Sequence, residues 1–462
     1  MKATLRAVLA TSLLLAPAAF ATKVPIPIEG ATLNVSVQVQ TEALIMENGA
    51  PNGTDASYDV FVRRTRLLAN GDISQNFSYL LQIDNANFGK FGNFGGRAIV
   101  QDAWIGWAPT GITGGNVLYI DAGLLLIPIS HHLLESTTNF ITADVHTDEF
   151  RFPANPFQGL RDTGIQLRGW WLDKKIGFRG GVYEGYAPIA TAGTASTTTP
   201  PSVCVPPGTA PPAPPAVAAT TCITPKRYPQ FAGFVNFDII GSEEGGWLYG
   251  AYKWGKDPIV SVGVSGIYQA DAVKNSLGNP ANLRIASADV YINFPQTEAA
   301  ELVVEATGYL NGNGSGATTT GGAGMTGKGF FVDAGYRFEF VAPYASFSYF
   351  ATDDCSGMTL SPAQLASCNS ATDLGNSRNF KFGLNFFFNK NLNHLNLEFQ
   401  LNHGVSAFGP QSMTGAASNA GYFPALKYPN GTVVPAATAA DLRTSLRVEA
   451  QKSFLAHWNV LF

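Results

Sequence analysis

Long stretches of the chain alternate strictly between apolar and polar residues. Phe380, Phe382, Leu384, Phe386 and Phe388 alternate with Lys381, Gly383, Asn385, Phe387 and Asn389. Leu395, Leu397, Phe399 and Leu401 alternate with His394, Asn396, Glu398, Gln400 and Asn402. Val332, Ala334, Tyr336, Phe338 and Phe340 alternate with Asp333, Gly335, Arg337 and Glu339. Successive side chains of a strand point to opposite faces, so each stretch predicts a strand with one greasy face and one polar face. The i, i+3, i+4 recurrence of an amphipathic helix is missing.

Such segments fall near 31–46, 57–69, 74–86, 98–109, 116–128, 162–172, 176–186, 228–241, 259–270, 282–294, 299–311, 327–340, 342–352, 377–389, 392–404 and 442–454. Most are roughly 11–14 residues long, whereas strands of soluble sheets usually have about 5–6 and a tilted membrane-crossing strand needs about 9–11. The even number suits a single-chain barrel. Connectors alternate between short ones, such as Asp173-Lys174-Lys175 and Asn389-Lys390-Asn391, and long ones at 129–161, 187–227, 353–376 and 405–441. That asymmetry is the one expected of short periplasmic turns and long external loops. The predicted fold is an all-β, 16-stranded antiparallel transmembrane β-barrel. Two places strain the scheme. The connector 241–258 is long for its end of the barrel. An Asn70-Gly71 turn would aim Arg64 and Arg66 outward, so a longer turn or a bulge is expected there.

Composition sharpens this picture. Only 13% of residues are charged, against 45% hydrophobic, with 49 Gly, 31 Phe and 16 Tyr; a soluble domain carries about 25% charged residues. Residues 1–21 read as a signal peptide: Lys2 and Arg6, an apolar run Ala7 to Ala16, and Ala19-Phe20-Ala21 as cleavage site. The barrel domain would then be 22–462, and removal of Lys2 and Arg6 takes the net charge from −4 to −6, which excludes a nucleic-acid partner of the usual basic kind. Residues 194–226 form a Pro/Ala/Thr-rich external loop.

Candidate chemistry is sparse. Gly322 to Gly329 imitates a phosphate-binding loop, but Gly329 stands where Ser or Thr is needed after Lys328, and a strand follows instead of a helix. There is no Gly-x-Ser-x-Gly or His-Glu-x-x-His motif, so neither an enzyme nor a cofactor is expected. Segment 129–161 gathers His131, His132 and His146 with Glu135, Asp144, Asp148, Glu149 and Arg151. A metal site is conceivable, but a polar loop is the plainer reading and no metal is expected.

Several stretches resemble the phosphate-selective porin O/P family: Tyr58-Asp-Val-Phe-Val-Arg-Arg-Thr-Arg-Leu-Leu-Ala-Asn-Gly71, Tyr79-Leu-Leu-Gln-Ile-Asp84, Gln101-Asp-Ala-Trp-Ile-Gly-Trp107, 121–140 and Gly383-Leu-Asn-Phe-Phe-Phe-Asn-Lys-Asn391. The resemblance implies an outer-membrane porin, a homotrimer among outer-membrane lipid, and a third external loop folded into the lumen as a constriction; 129–161 is third among the external loops. Pore-lining positions would then be Arg64, Arg66, Asp84, Asp102, Asp121, Arg168, Arg179, Asp289, Glu301, Glu305, Asp333, Arg337 and Glu398, with Glu339 and Arg447 facing the same water. A lysine-rich cluster is missing, and acids crowd the later strands. The expectation is passive passage of small solutes or ions with weak selectivity. The alternatives are a barrel enzyme and a plugged barrel acting as a sheath or adhesin.

Cys204, Cys222, Cys355 and Cys368 fall as two close pairs. Four cysteines allow three connectivities, and export permits disulfides. Neighbour pairing, Cys204–Cys222 and Cys355–Cys368, closes the shortest loops. Non-reducing peptide mapping is expected to return those two bridges; a peptide joining Cys204 to Cys355 would refute the pairing.

Overall fold

In the computed structural model the described residues are 22–24, 30–47, 55–109, 116–146, 160–185, 228–274, 280–313, 318–353, 376–403 and 451–461, with short internal gaps at 93, 95–97, 244–246, 256, 320–321 and 324–325. Residues 1–21 and 194–226, all four cysteines, Asp148, Glu149, Arg151 and Arg447 lie outside them.

Sixteen strands make the barrel: β1 Leu33–Met46, β2 Ser57–Ser74, β3 Phe77–Phe88, β4 Ile99–Trp107, β5 Val117–Leu126, β6 Arg161–Trp171, β7 Ile176–Tyr183, β8 Gln230–Ile240, β9 Ile259–Lys274, β10 Pro280–Thr297, β11 Ala300–Asn313, β12 Gly327–Phe338, β13 Val341–Thr352, β14 Ser377–Asn389, β15 Asn393–His403 and β16 Gln451–Leu461. Each pairs antiparallel with the next, and β16 closes on β1 from Ser453↔Met46 to Leu461↔Gln38. A short strand, Thr22–Val24, adds to the start of β1. Closure leaves no unpaired barrel edge, so the backbone satisfies itself around the circumference.

The alternation sets the two faces. Along β12, Phe330, Val332, Tyr336 and Phe338 are exposed, while Phe331, Asp333 and Arg337 are buried. The same holds on β1, where Ser36, Gln38, Gln40 and Glu42 turn inward. The barrel is thus greasy outside and polar inside, the reverse of a soluble barrel. Towards the short-turn end the outside carries Phe77, Trp107, Trp171, Phe237, Phe294, Phe338, Phe340 and Phe388, all exposed. Such a belt is the usual girdle at a membrane–water boundary.

The expectation of a longer turn or a bulge around Asn70-Gly71 holds, and two others need correction. Asn70 and Gly71 pair within β2, and the chain reverses after Ser74. The inward aim of the arginines comes from a bulge, where the register steps from Gln40↔Arg64 to Thr41↔Val62. The extra residue, Arg63, lets Arg63, Arg64 and Arg66 all face inward. The closing strand is Gln451–Leu461 and not 442–454; Phe454 does face outward, and Leu446, Val448 and Ala450 lie outside the described residues. Glu339 stands in the β12–β13 turn with φ 52° and is exposed, so it does not face the interior.

Because β16 bonds to both β15 and β1, deleting Phe454 to Phe462 removes most of the seam. The truncated chain is expected to lose heat-resistant assembly on a gel; normal assembly would contradict the closure described.

Candidate functional site

Two connectors enter the barrel from opposite ends and meet inside it. The first leaves β5 as Ile127-Pro-Ile-Ser-His-His-Leu-Leu-Glu135. Its apolar residues explain why it turns inward: Ile127, Ile129, Leu133 and Leu134 are buried against Trp104, Phe234, Leu283, Ile285, Tyr309 and Phe331 from the wall. Burying each such aliphatic side chain contributes about 1.5–3 kcal/mol. Further on, Ile141 packs with Tyr291, Val303, Tyr344 and Phe387. The second connector, 241–258, comes from the short-turn end and brings Trp247, Tyr249, Ala251 and Tyr252 into the same two clusters.

The two connectors clasp through their backbones. Tyr249 N donates to Leu134 O at 2.9 Å, Ser136 N to Tyr249 O at 2.9 Å, and Ala251 N to Asn139 O at 2.9 Å. The Asn139 side chain completes the clasp, accepting from Tyr252 N at 2.9 Å and donating to Tyr252 O at 3.0 Å. Gly335 on β12 makes room for this arrangement, since a methyl group there would collide with the Tyr252 hydroxyl.

Charge decides how 127–146 lies. The wall has a basic side, Arg63, Arg64 and Arg66 on β2 with Arg168 on β6 and Arg179 on β7, and an acidic side, Glu301 and Glu305 on β11, Asp333 on β12 and Glu398 on β15. Asp144 reaches the basic side, with 2.7 Å to both Arg63 and Arg64. Thr137 accepts from Arg66 at 2.6 Å and from Gln38 at 3.2 Å. The histidines reach the acidic side: His146 Nε2 lies 2.9 Å from Asp333, and His132 Nδ1 lies 3.4 Å from Glu305. The backbone N–H of Ala143 donates to Glu398 at 3.1 Å. Burial alone would raise the Asp144 carboxyl, but Arg63 and Arg64 overcome that and hold it well below the ordinary carboxylate range.

All thirteen residues read from the sequence as pore-lining lie on the inner face and are buried. They are not a free basic stripe facing free acids. Arg66 pairs with Asp84 at 3.0 Å, Arg168 with Asp121 at 2.9 Å, and Arg337 with Glu301 at 2.7 Å, while Arg161 stands 3.4 Å from Asp102. Arg168 and Arg179 are direct cross-strand neighbours. Like charges so placed repel. Here Tyr119 faces Arg168 at 4.0 Å, and Trp247 covers both guanidiniums at 5.3 and 5.5 Å, so aromatic faces and Asp121 offset the repulsion.

Of the loop residues singled out in sequence, His131, His132, Glu135, Asp144 and His146 come to the interior, where they meet charged and aromatic residues of the wall. The sequence reading missed Arg63, which the bulge turns inward, and Glu42, which receives His457 of β16 at 2.9 Å. It also missed Glu243 and Lys253, which enter on the second connector and lie 2.5 Å apart. The one signal for these two was the unexplained length of 241–258.

No family model matches the chain, and no curated protein matches its sequence. Solved structures do share its fold. They include an anion-selective porin from Comamonas acidovorans, with TM-score 0.51, 11% identity, and coverage of 94% of this chain and 100% of that one. They also include OmpF of Salmonella typhi in complex with daunomycin, with TM-score 0.50, 11% identity, and coverage of 96% and 100%. At such identity the likeness shows a shared fold, that of the 16-stranded porin-type barrel.

Replacing Asp144 with Ala leaves Arg63 and Arg64 without their shared carboxylate; loss of one partner of a buried pair costs about 3–5 kcal/mol. The variant is expected to unfold at lower denaturant and to expose the loop to protease. The wild-type contribution comes from a carboxyl whose folded value is depressed, so it is present above about pH 4. It is lost as pH falls through the folded value. An unchanged unfolding midpoint would show that Asp144 does not hold the loop.

Proposed function

We propose that this chain is an integral outer-membrane porin that gives small polar solutes or ions a passive path through its lumen. The observation that carries the reading is the inverted barrel: an apolar outer band with an aromatic girdle at its short-turn end around a polar interior. The porin-type fold supports it. A signal peptide at 1–21, a homotrimeric assembly and the external placement of the long loops belong to the same proposal and rest on the sequence.

Selectivity is the finer part of the proposal. The resemblance to phosphate-selective porins points to an anion path, and Arg63, Arg64, Arg66, Arg168 and Arg179 give it some support. A dedicated phosphate path needs a run of cationic donors that replaces lost hydration. Here four of these five arginines lie beside Asp84, Asp121 or Asp144. The path we propose is therefore weakly selective.

A second reading, a closed barrel acting as a sheath or adhesin, is favoured by the clasp between the two connectors. Single-channel recording in a salt gradient separates them. The expected result is discrete conductance with a small reversal potential, which moves towards cation preference in Arg168→Glu/Arg179→Glu. Deleting residues of 129–161 should raise conductance. No steps in the wild type would favour the closed barrel, and chloride current blocked by low phosphate would restore the phosphate-selective reading.

A further inference from the structure

Where the two connectors meet, His131 sits in an unusual setting. Its Nε2 lies 2.9 Å from both oxygens of Glu243. Carboxylate oxygens only accept, so Nε2 carries the proton and Nδ1 is the bare nitrogen of the neutral ring. That lone pair faces acceptors: Glu135 Oε1 at 3.2 Å and Glu305 Oε1 at 3.9 Å. Both Glu135 oxygens and Oε1 of Glu305 are buried and receive no hydrogen bond. A nitrogen lone pair and orphaned carboxylate oxygens therefore converge on one point.

His132 fixes the carboxylates without joining them. Its Nε2 accepts the backbone N–H of His146 at 3.0 Å, so in the neutral ring the proton is on Nδ1. From there it faces Glu305 Oε2 at 3.4 Å and Glu135 Oε2 at 3.5 Å. Glu305 Oε2 is thus engaged by this imidazole, Glu135 Oε2 stands beside it, and the first oxygens are left turned towards His131 Nδ1.

We propose that His131 Nδ1, Glu135 and Glu305 bind a first-row divalent transition-metal cation, with Zn2+ as the type ion. The three donor atoms lie within 4.8 Å of one another. Donors on a tetrahedral zinc at about 2.0–2.2 Å stand about 3.4 Å apart, close to the separations here. One imidazole with two carboxylates leaves a position for water or a passing solute, the open arrangement of non-structural zinc sites. Glu243 completes a carboxylate–histidine–metal relay of the kind that orients ligand histidines. Charge points the same way. Glu135, Glu243 and Glu305 are three buried acids with one lysine, Lys253, beside Glu243, and a dication offsets the remainder. Mg2+ and Ca2+ fit poorly, because they favour six or more oxygen ligands. The inference stands whether or not the lumen conducts.

The test uses the full-length, tag-free chain in detergent, stripped with chelator and dialysed against Zn2+ in excess Mg2+. The expected result is one saturable site per chain. X-ray absorption should show a nitrogen and oxygen shell near 2.0–2.2 Å. Glu243→Gln should weaken binding by about 10- to 100-fold, as loss of an outer-shell partner does, and Glu135→Gln should remove saturable binding. Absence of a site in the wild type would mean that protons alone hold the cluster, and would overturn the proposal. So would a sulfur shell near 2.3 Å, which would place the ion on cysteines, or unchanged binding in a folded Glu135→Gln.

Discussion

A closed barrel with charged inner walls has to satisfy those charges, and here the chain does so with one segment that crosses the interior. Segment 127–146 carries opposite charges at different points: Asp144 lies against Arg63 and Arg64, and His132 and His146 lie against Glu305 and Asp333. The order of charges on the segment matches the two walls. A buried charge left without a partner is costly, so the walls and the segment fix one another. Most other features follow from this match. The bulge at Arg63 gives Asp144 two guanidiniums. Glu398 is met by a backbone N–H, and Gly335 leaves space for the second connector.

Charge alone would not fill the barrel. The apolar residues of 127–141 and the aromatic residues of 247–254 form two clusters with inward residues of the wall. The interior is therefore a layered partition: polar walls, two apolar clusters, and a backbone clasp between connectors that arrive from opposite ends. In a channel, such a partition sets the width of the path. Most of the wall arginines named above are already paired with acids, which limits the charge that a passing solute would meet. The same clasp brings His131, Glu135, Glu243 and Glu305 together from three separate parts of the chain.

The strand framework was legible because each outward face is continuous and apolar, which enforces a period of two over a dozen residues. Fifteen strands fall where the alternation placed them, within a few residues at each end. The sixteenth did not. Inner positions of β16 include the apolar Leu455 beside Ser453, His457 and Asn459, which blurs the alternation, and its register is set by β1, about four hundred residues away. Arg63 escaped because a bulge breaks the period at that point. The histidine–carboxylate cluster could not be read from spacing alone: His131 and Glu135 stand at i and i+4, but Glu243 and Glu305 are 112 and 173 residues from their histidine partners. His131, His132 and Glu135 looked like a polar loop because the walls that bury them lie elsewhere in the chain.

The lumen is organised by two connectors that meet and lock inside the barrel, a contact that can be read amide by amide. Amide hydrogen exchange of the folded protein tests it most directly, because the clasp rests on the N–H groups of Ser136, Tyr249 and Ala251. Buried, bonded amides exchange only through opening of the structure. These three amides are expected to be protected to a degree comparable with barrel-strand amides. Exchange at the rate of an open loop would show that the connectors do not meet inside the barrel.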